Sequence, residues 1–169
     1  MPPGKGPVNE AAYRQIHDVS FGDDVVVHPF TNIYGCSVGS RTRIGTFVEV
    51  QRGASIGEDC KIQSHTFICD GVSIEDAVFV GHGVVFVNDK YPRATDGDGR
   101  LQGPDDWQLS ETVVERGATL GSNATILGGV RIGRNATVAA GAVVVSDVPA
   151  DTIVRGNPAR AGRLQGAPA

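Results

Sequence analysis

The amino-acid sequence predicts an all-β protein, a parallel β-helix wound from six-residue repeats with one long loop insertion and a short C-terminal tail. Two interleaved rhythms and one interruption carry that prediction. Every sixth residue is large and apolar: Val38, Ile44, Val50, Ile56, Ile62, Ile68, Ile74, Val80 and Phe86, then Val114, Leu120, Ile126, Ile132, Val138 and Val144. Four places after each comes a small or β-branched residue, as at Thr42, Val48, Ala54, Cys60, Thr66, Val72, Val78 and Val84, and again from Ala118 to Val148. Between the two blocks, at about 88–112, a polar, Gly- and Pro-rich stretch breaks the count.

A period of six fits neither an α-helix nor a plain alternating strand, whereas hexapeptide repeats are the mark of a parallel β-helix. Each hexad supplies one short strand and one corner, with the large and the small residue turned inward and the residues between them turned out. Three hexads close one triangular coil, so residues eighteen apart stack at the inter-strand spacing of about 4.8 Å. Corners this tight need φ > 0, and Asp59, Gly71, Gly83, Gly117, Asn123, Gly129, Asn135 and Gly141 recur where such a residue is required.

Taken in order, residues 1–12 are Pro/Gly-rich and are expected to be disordered. A single domain then spans 13–160. Its first coil, Tyr13 to Asn32, is irregular, as a terminal repeat should be; Val26 reads as in register, and Asn32 occupies a place meant for an aliphatic. Val38 to Phe86 is regular. The insertion follows and holds the only tryptophan, Trp107, an aromatic that must bury against something. Val114 to Val148 adds two coils, the tail runs to Arg160, and 161–169 are expected to be disordered.

Composition narrows the function. The net charge of −4 gives no electrostatic case for nucleic acid or a membrane surface, and no apolar run approaches a membrane span. MPPGKGPVNE has no apolar core of a secretory signal. Among three cysteines there is no CxxC; Cys36 and Cys60 fall on inward positions and Cys69 at a corner, which suits reduced thiols and a cytoplasmic location.

The ending Val154-Arg155-Gly156-Asn157-Pro158-Ala159-Arg160, together with the repeat, resembles the hexapeptide-repeat acyltransferases. That resemblance covers about Val19 to Arg160. It implies a left-handed β-helix, a homotrimer with active sites between subunits, and acetyl-CoA as co-substrate. Within the family the chain is similar to bacterial N-acetyltransferases of nucleotide-linked 3-amino sugars (dTDP- or UDP-linked), which serve surface-glycan or antibiotic-sugar biosynthesis. The shared residues are Cys60-Lys61-Ile62-Gln63, the segment from Phe86 through Asn88 to Pro92-Arg93, and Gly117-Ala118-Thr119-Leu120-Gly121 with Thr125-Ile126. The chain departs from these look-alikes at His65 and His82, where they often carry Asn and Pro.

Amine acylation makes a light catalytic demand. The amine must be neutral, held about 3 Å from the thioester carbonyl, and met by donors to the oxyanion. A sugar amine should titrate near an α-amino group, at about 8, so a useful neutral fraction exists without a strong base. His65 and His82 lie one place apart in register on adjacent coils, and one of them is expected to accept the amine proton. His17 and His28 read as solvated or capping residues.

Asn88, Asp89, Tyr91 and Arg93 open the insertion and are expected to bind substrate, the last two by stacking and by bidentate phosphate bonding. Arg155, Arg160 and Arg163 suit the phosphates of coenzyme A, while Ser122, Gly128 and Ala140 are small enough to leave backbone amides open to its pantetheine arm. No metal is expected. The alternatives are an O-acetyltransferase acting on a sugar hydroxyl, a zinc hydratase of the γ-carbonic anhydrase type, and a non-catalytic scaffold. The zinc reading lacks a ligand, since Val87 stands where a second histidine would follow His82.

Overall fold

The computed structural model describes residues 13–162, and up to Val143–Val144 the chain visits three sheets in strict rotation. The expected disorder at 1–12 and 163–169, and Arg163 with it, lies outside the described residues. The first sheet has seven strands, from Arg14–His17 and Thr31–Tyr34 up to Val143–Val144. The second has six, from Ser20–Phe21 to Arg131–Ile132. The third has eight, from Val26–Val27 to Arg160–Ala161. Neighbours pair in parallel, except that Arg160–Ala161 turns back antiparallel on Ile153–Arg155 and ends the solenoid.

Register follows the repeat. Phe67 lies between Glu49 and Val85, eighteen residues to either side. Across the insertion the step becomes forty, as in Phe79 with Thr119, and the pattern resumes in phase. The first coil corrects one expectation. Its partners are seventeen apart, Val27 pairing with Ile44 and Ile33 with Val50. Ile33 is fully buried, so Ile33 and Val27, not Asn32 and Val26, hold the aliphatic places. After Ile33 the corner reaches Gly35 through Tyr34 alone, where the next coil has Gln51 and Arg52 before Gly53.

All the large residues of the six-beat series from Val38 to Val144 are no more than 3% exposed. Burying one such side chain is worth about 1.5–3 kcal/mol, so the stacked aliphatics hold the coils together. The small inward series fills the space beside them. Two of the buried threonines satisfy carbonyls one coil away, Thr42 Oγ1 donating to Gly57 O at 2.8 Å and Thr66 Oγ1 to Gly81 O at 3.0 Å. All three cysteines are buried and free. Burial pushes the thiols of Cys36 and Cys69 up to about 11, and that of Cys60 upward as well.

Three edges separate the three sheets, and each carries its own chemistry. Between the second and third sheets runs a charged edge, with Arg41 bridging Glu58 at 2.6 Å and Asp59 at 2.7 Å, Arg116 on Asp76 and Arg131 on Glu115. The arm 88–111 leaves from the edge between the first and second sheets. The edge between the third and first sheets carries aromatic rings and both candidate catalytic histidines.

Candidate active site

The aromatic edge repeats one local conformation at every coil. Phe30, Phe47, His65, Gly83, Asn123 and Gly141 each hold a φ between 59° and 69°. Gly and Asn tolerate this region, but a bulky side chain is strained there. The lower coils nevertheless place aromatics at it. Tyr13, Phe30, Phe47 and His65 form a ladder with ring centroids 4.9, 5.2 and 4.9 Å apart. The first three rings are about half exposed. The sequence reading missed this ladder; its signal was the spacing of seventeen, seventeen and eighteen between the four residues.

His65 tops the ladder, and its imidazole stacks on Phe47 with the planes 24° apart. His82 follows on the next coil, one place before the residue that stacks on His65, as the register arithmetic required. Both histidines are exposed. Among the described residues no side chain hydrogen-bonds either imidazole. Ser122 and Ala140 continue the same line on the coils above, and Arg155 sits beside Ala139 through the Ala139 N to Val154 O bond. Arg155 pairs across its hairpin with Arg160, so two guanidinium-bearing residues stand opposite each other near the C-terminal end.

The arm's residues lie elsewhere. Asn88 closes its neck: Nδ2 donates to Asp70 O one coil below at 3.1 Å, and its carbonyl accepts the Ser110 amide at 2.9 Å. Gly128 packs under that neck, where a Cβ would come within 2.8 Å of Val87 O, and is buried. It therefore belongs to the arm's edge and not to the line of Ser122 and Ala140. Asp89 Oδ1 accepts the Tyr91 amide at 2.9 Å. Asp89, Tyr91 and Trp107 line a cup of about 260 Å³ within the arm, and Trp107 is half-buried there. Tyr91 is 85% exposed and Arg93 is exposed. One copy of the chain thus holds the histidines and the arm on different edges, with the first sheet between them.

Among the described residues of one copy, no group of three His, Cys, Asp or Glu side chains is placed to hold a metal ion. Nor is any helix among them long and apolar enough to cross a membrane.

Residues 111–146 match the model of the bacterial transferase hexapeptide (six repeats), and residues 35–68 that of the hexapeptide repeat of succinyl-transferase. Among curated proteins, the bifunctional protein GlmU of Carboxydothermus hydrogenoformans is 32% identical over 145 residues, covering 85% of this chain. The chain spans only 29% of that protein's length. Among solved structures, a hexapeptide-repeat acetyltransferase of Vibrio cholerae is similar at 26% identity and a TM-score of 0.62, over 85% of this chain and 72% of its own. The same protein has been solved with acetyl coenzyme A. AntD, an N-acyltransferase of Bacillus cereus solved with dTDP and coenzyme A, shares the fold at a TM-score of 0.73 and 20% identity, over 85% of this chain and 82% of its own. Both matched stretches lie on regular coils of the solenoid, and the chain carries the hexapeptide repeat that both family models describe.

Proposed function

We propose that the protein transfers the acetyl group of acetyl-CoA to the amino group of a nucleotide-linked 3-amino sugar. One observation carries the reading: His65, His82, Ser122, Ala140 and Arg155 fall on a single edge, in the order a nucleophile's base, a thioester channel and a phosphate anchor would take. The likeness to an acetyltransferase solved with acetyl coenzyme A supports the cofactor. The segment from Asn88 to Arg93 supports an amino-sugar substrate, and AntD shows that a neighbour of this fold takes dTDP and coenzyme A together.

The reaction forms one C–N bond and breaks one C–S bond. The neutral amine attacks the thioester carbonyl, and in this reading the backbone amides of Ser122 and Ala140 donate to the oxyanion that develops. One of the two exposed imidazoles accepts the amine proton, and the thiolate of coenzyme A leaves. Arg155 and Arg160 hold the cofactor's phosphates at the C-terminal end.

Because the arm and the histidines of one copy stand on different edges, the site is complete only when the arm of a second copy lies against the aromatic edge of the first. This supports a homotrimer with a site in each seam. Coenzyme A thiol release, measured with dTDP- and UDP-linked 3-amino sugars beside their hydroxyl counterparts, tests the reading. Turnover with the amine and not the hydroxyl is the expected result. The reverse preference would assign O-acetylation, which the two exposed imidazoles would also serve. His65→Ala and His82→Ala, singly and together, test the base; less than a few-fold loss of kcat/KM throughout removes it.

A further inference from the structure

On the third sheet, Arg43 and Lys61 are direct register partners on neighbouring parallel strands, and both side chains point outward into solvent. Like charges set opposite each other across a strand pair oppose folding. Among the described residues neither has a carboxylate within ion-pair distance, whereas Arg41, Arg116 and Arg131 on the charged edge are all paired. An unneutralised cation pair in a chain of net charge −4 is an arrangement that an external anion resolves.

The pair separates two grooves. The larger, about 810 Å³, lies toward the charged edge and also holds Asp24, Arg41 and Asp59, so its charges nearly cancel. The second, about 360 Å³, lies toward the aromatic edge and has no carboxylate in its wall. Besides Arg43 and Lys61 it presents four further donors: the imidazole of His28, the hydroxyls of Thr46 and Ser64, and the amide of Gln63. Two cations and several further donors around one cleft match a diphosphate, which offers many acceptor oxygens and two or more negative charges.

The surroundings say what is attached. Thr46 and Ser64 immediately precede Phe47 and His65, so the groove's rim is the aromatic ladder itself. Ser64 O accepts the Gly83 amide at 3.0 Å, which sets His82 one coil above the groove. A diphosphate on Arg43 and Lys61 would therefore have half-exposed rings on the N-terminal side and the two histidines on the C-terminal side. The first suits the flat faces of a nucleoside, the second the group the diphosphate carries.

We infer that the cleft between Arg43, Lys61 and the aromatic ladder is a binding site for the diphosphate of a nucleoside diphosphate. The inference deepens the proposed amino-sugar reading and rests on it for the choice of the sugar nucleotide as ligand. It moves phosphate recognition from Arg93 on the arm to the face of the solenoid. Coenzyme A also carries a nucleoside diphosphate, and the experiment separates the two sources.

Titration calorimetry of the full chain with dTDP, UDP and coenzyme A, wild type against Arg43→Gln/Lys61→Gln, tests it. The double variant should bind dTDP or UDP about tenfold or more weaker, leave coenzyme A unaffected, and melt no lower than wild type. Weaker coenzyme A binding with dTDP and UDP unchanged keeps the diphosphate site and assigns it to the cofactor. No loss for any ligand, no binding of any by wild type, or an equal loss from the control Arg134→Gln on the charged edge, overturns the site. Acetyl transfer is not read, so an enzyme that fails on amino sugars in the thiol-release assay leaves this outcome independent.

Discussion

The imidazole of His65 lies 4.9 Å from the ring of Phe47 and 24° from parallel to it, and both residues hold a φ of 60–65°. Two strained aromatic corners stacked on each other on a solvent-facing edge contribute little to a core they do not enter. Strain retained at exposed positions gathers where a site needs it.

His65→Asn follows from this directly. Asn123 occupies the same corner place two coils above at φ 59°, so Asn fits the backbone better than His does. Stability should change by less than about 1 kcal/mol, because relief of strain offsets the lost stacking. The kcat/KM for the amine should fall about a hundredfold if His65 is the base. Urea denaturation and thiol-release kinetics on the same sample check both; a large drop in stability would make the imidazole structural.

Gly128→Ala should loosen the arm at its root. The added methyl meets Val87 O and Ser110 Cβ, each at 2.8 Å, in a buried place with no free direction. A cost of about 1–3 kcal/mol is expected. Asn88→Ala, which removes the bond to Asp70 O, should cost about 1 kcal/mol. Both variants should expose 88–111 to limited proteolysis before the rest of the chain, which thermal melting alone would not reveal.

Acid should weaken the charged edge. Arg41 beside Asp59 holds its carboxyl below the ordinary 3.8, and Arg131 does the same to Glu115. A folded-state value below the unfolded one gives stability that is present above the ordinary value and is lost as pH falls through the folded one. Wild type should thus lose stability as pH falls below about 4, and Arg41→Gln should lose less. Urea midpoints at stepped pH provide the comparison; parallel curves would assign the Arg41–Asp59 pair no role in acid stability.

The cysteines should resist alkylation. With Cys36 and Cys69 pushed up to about 11 and all three side chains buried, iodoacetamide at neutral pH should modify none in the folded protein and all three in denaturant. Mass spectrometry counts the adducts, and rapid labelling of Cys69 without denaturant would contradict its burial.

The repeat made the solenoid legible because the large inward positions obey one period from Val38 to Phe86 and again from Val114 to Val144. Where the period slips, sequence reading slipped with it. The corner between Ile33 and Gly35 is one residue short, which moved the first coil's aliphatic places from Val26 and Asn32 to Val27 and Ile33. That shortening, and the same one where His17 alone joins Ile16 to Asp18, hid the aromatic ladder, since Tyr13, Phe30 and Phe47 are spaced by seventeen and a strict eighteen-residue scan passes over them. His65 and His82 were legible as neighbours because they lie in the regular block. Asn88 looked free for substrate because proximity to Asp70 is a property of stacked coils that no local motif displays. That Gly128 belongs to the arm's edge and Ser122 to another follows only once each is counted around the three-sided coil.

The arm departs after Phe86 and the chain re-enters the second sheet at Thr112 in the register it would have had without the detour. A segment inserted this way is a cassette. Its length and composition can diverge from one descendant to the next without renegotiating a single stacked aliphatic, so specificity has a route to drift while the scaffold beneath it stays the same.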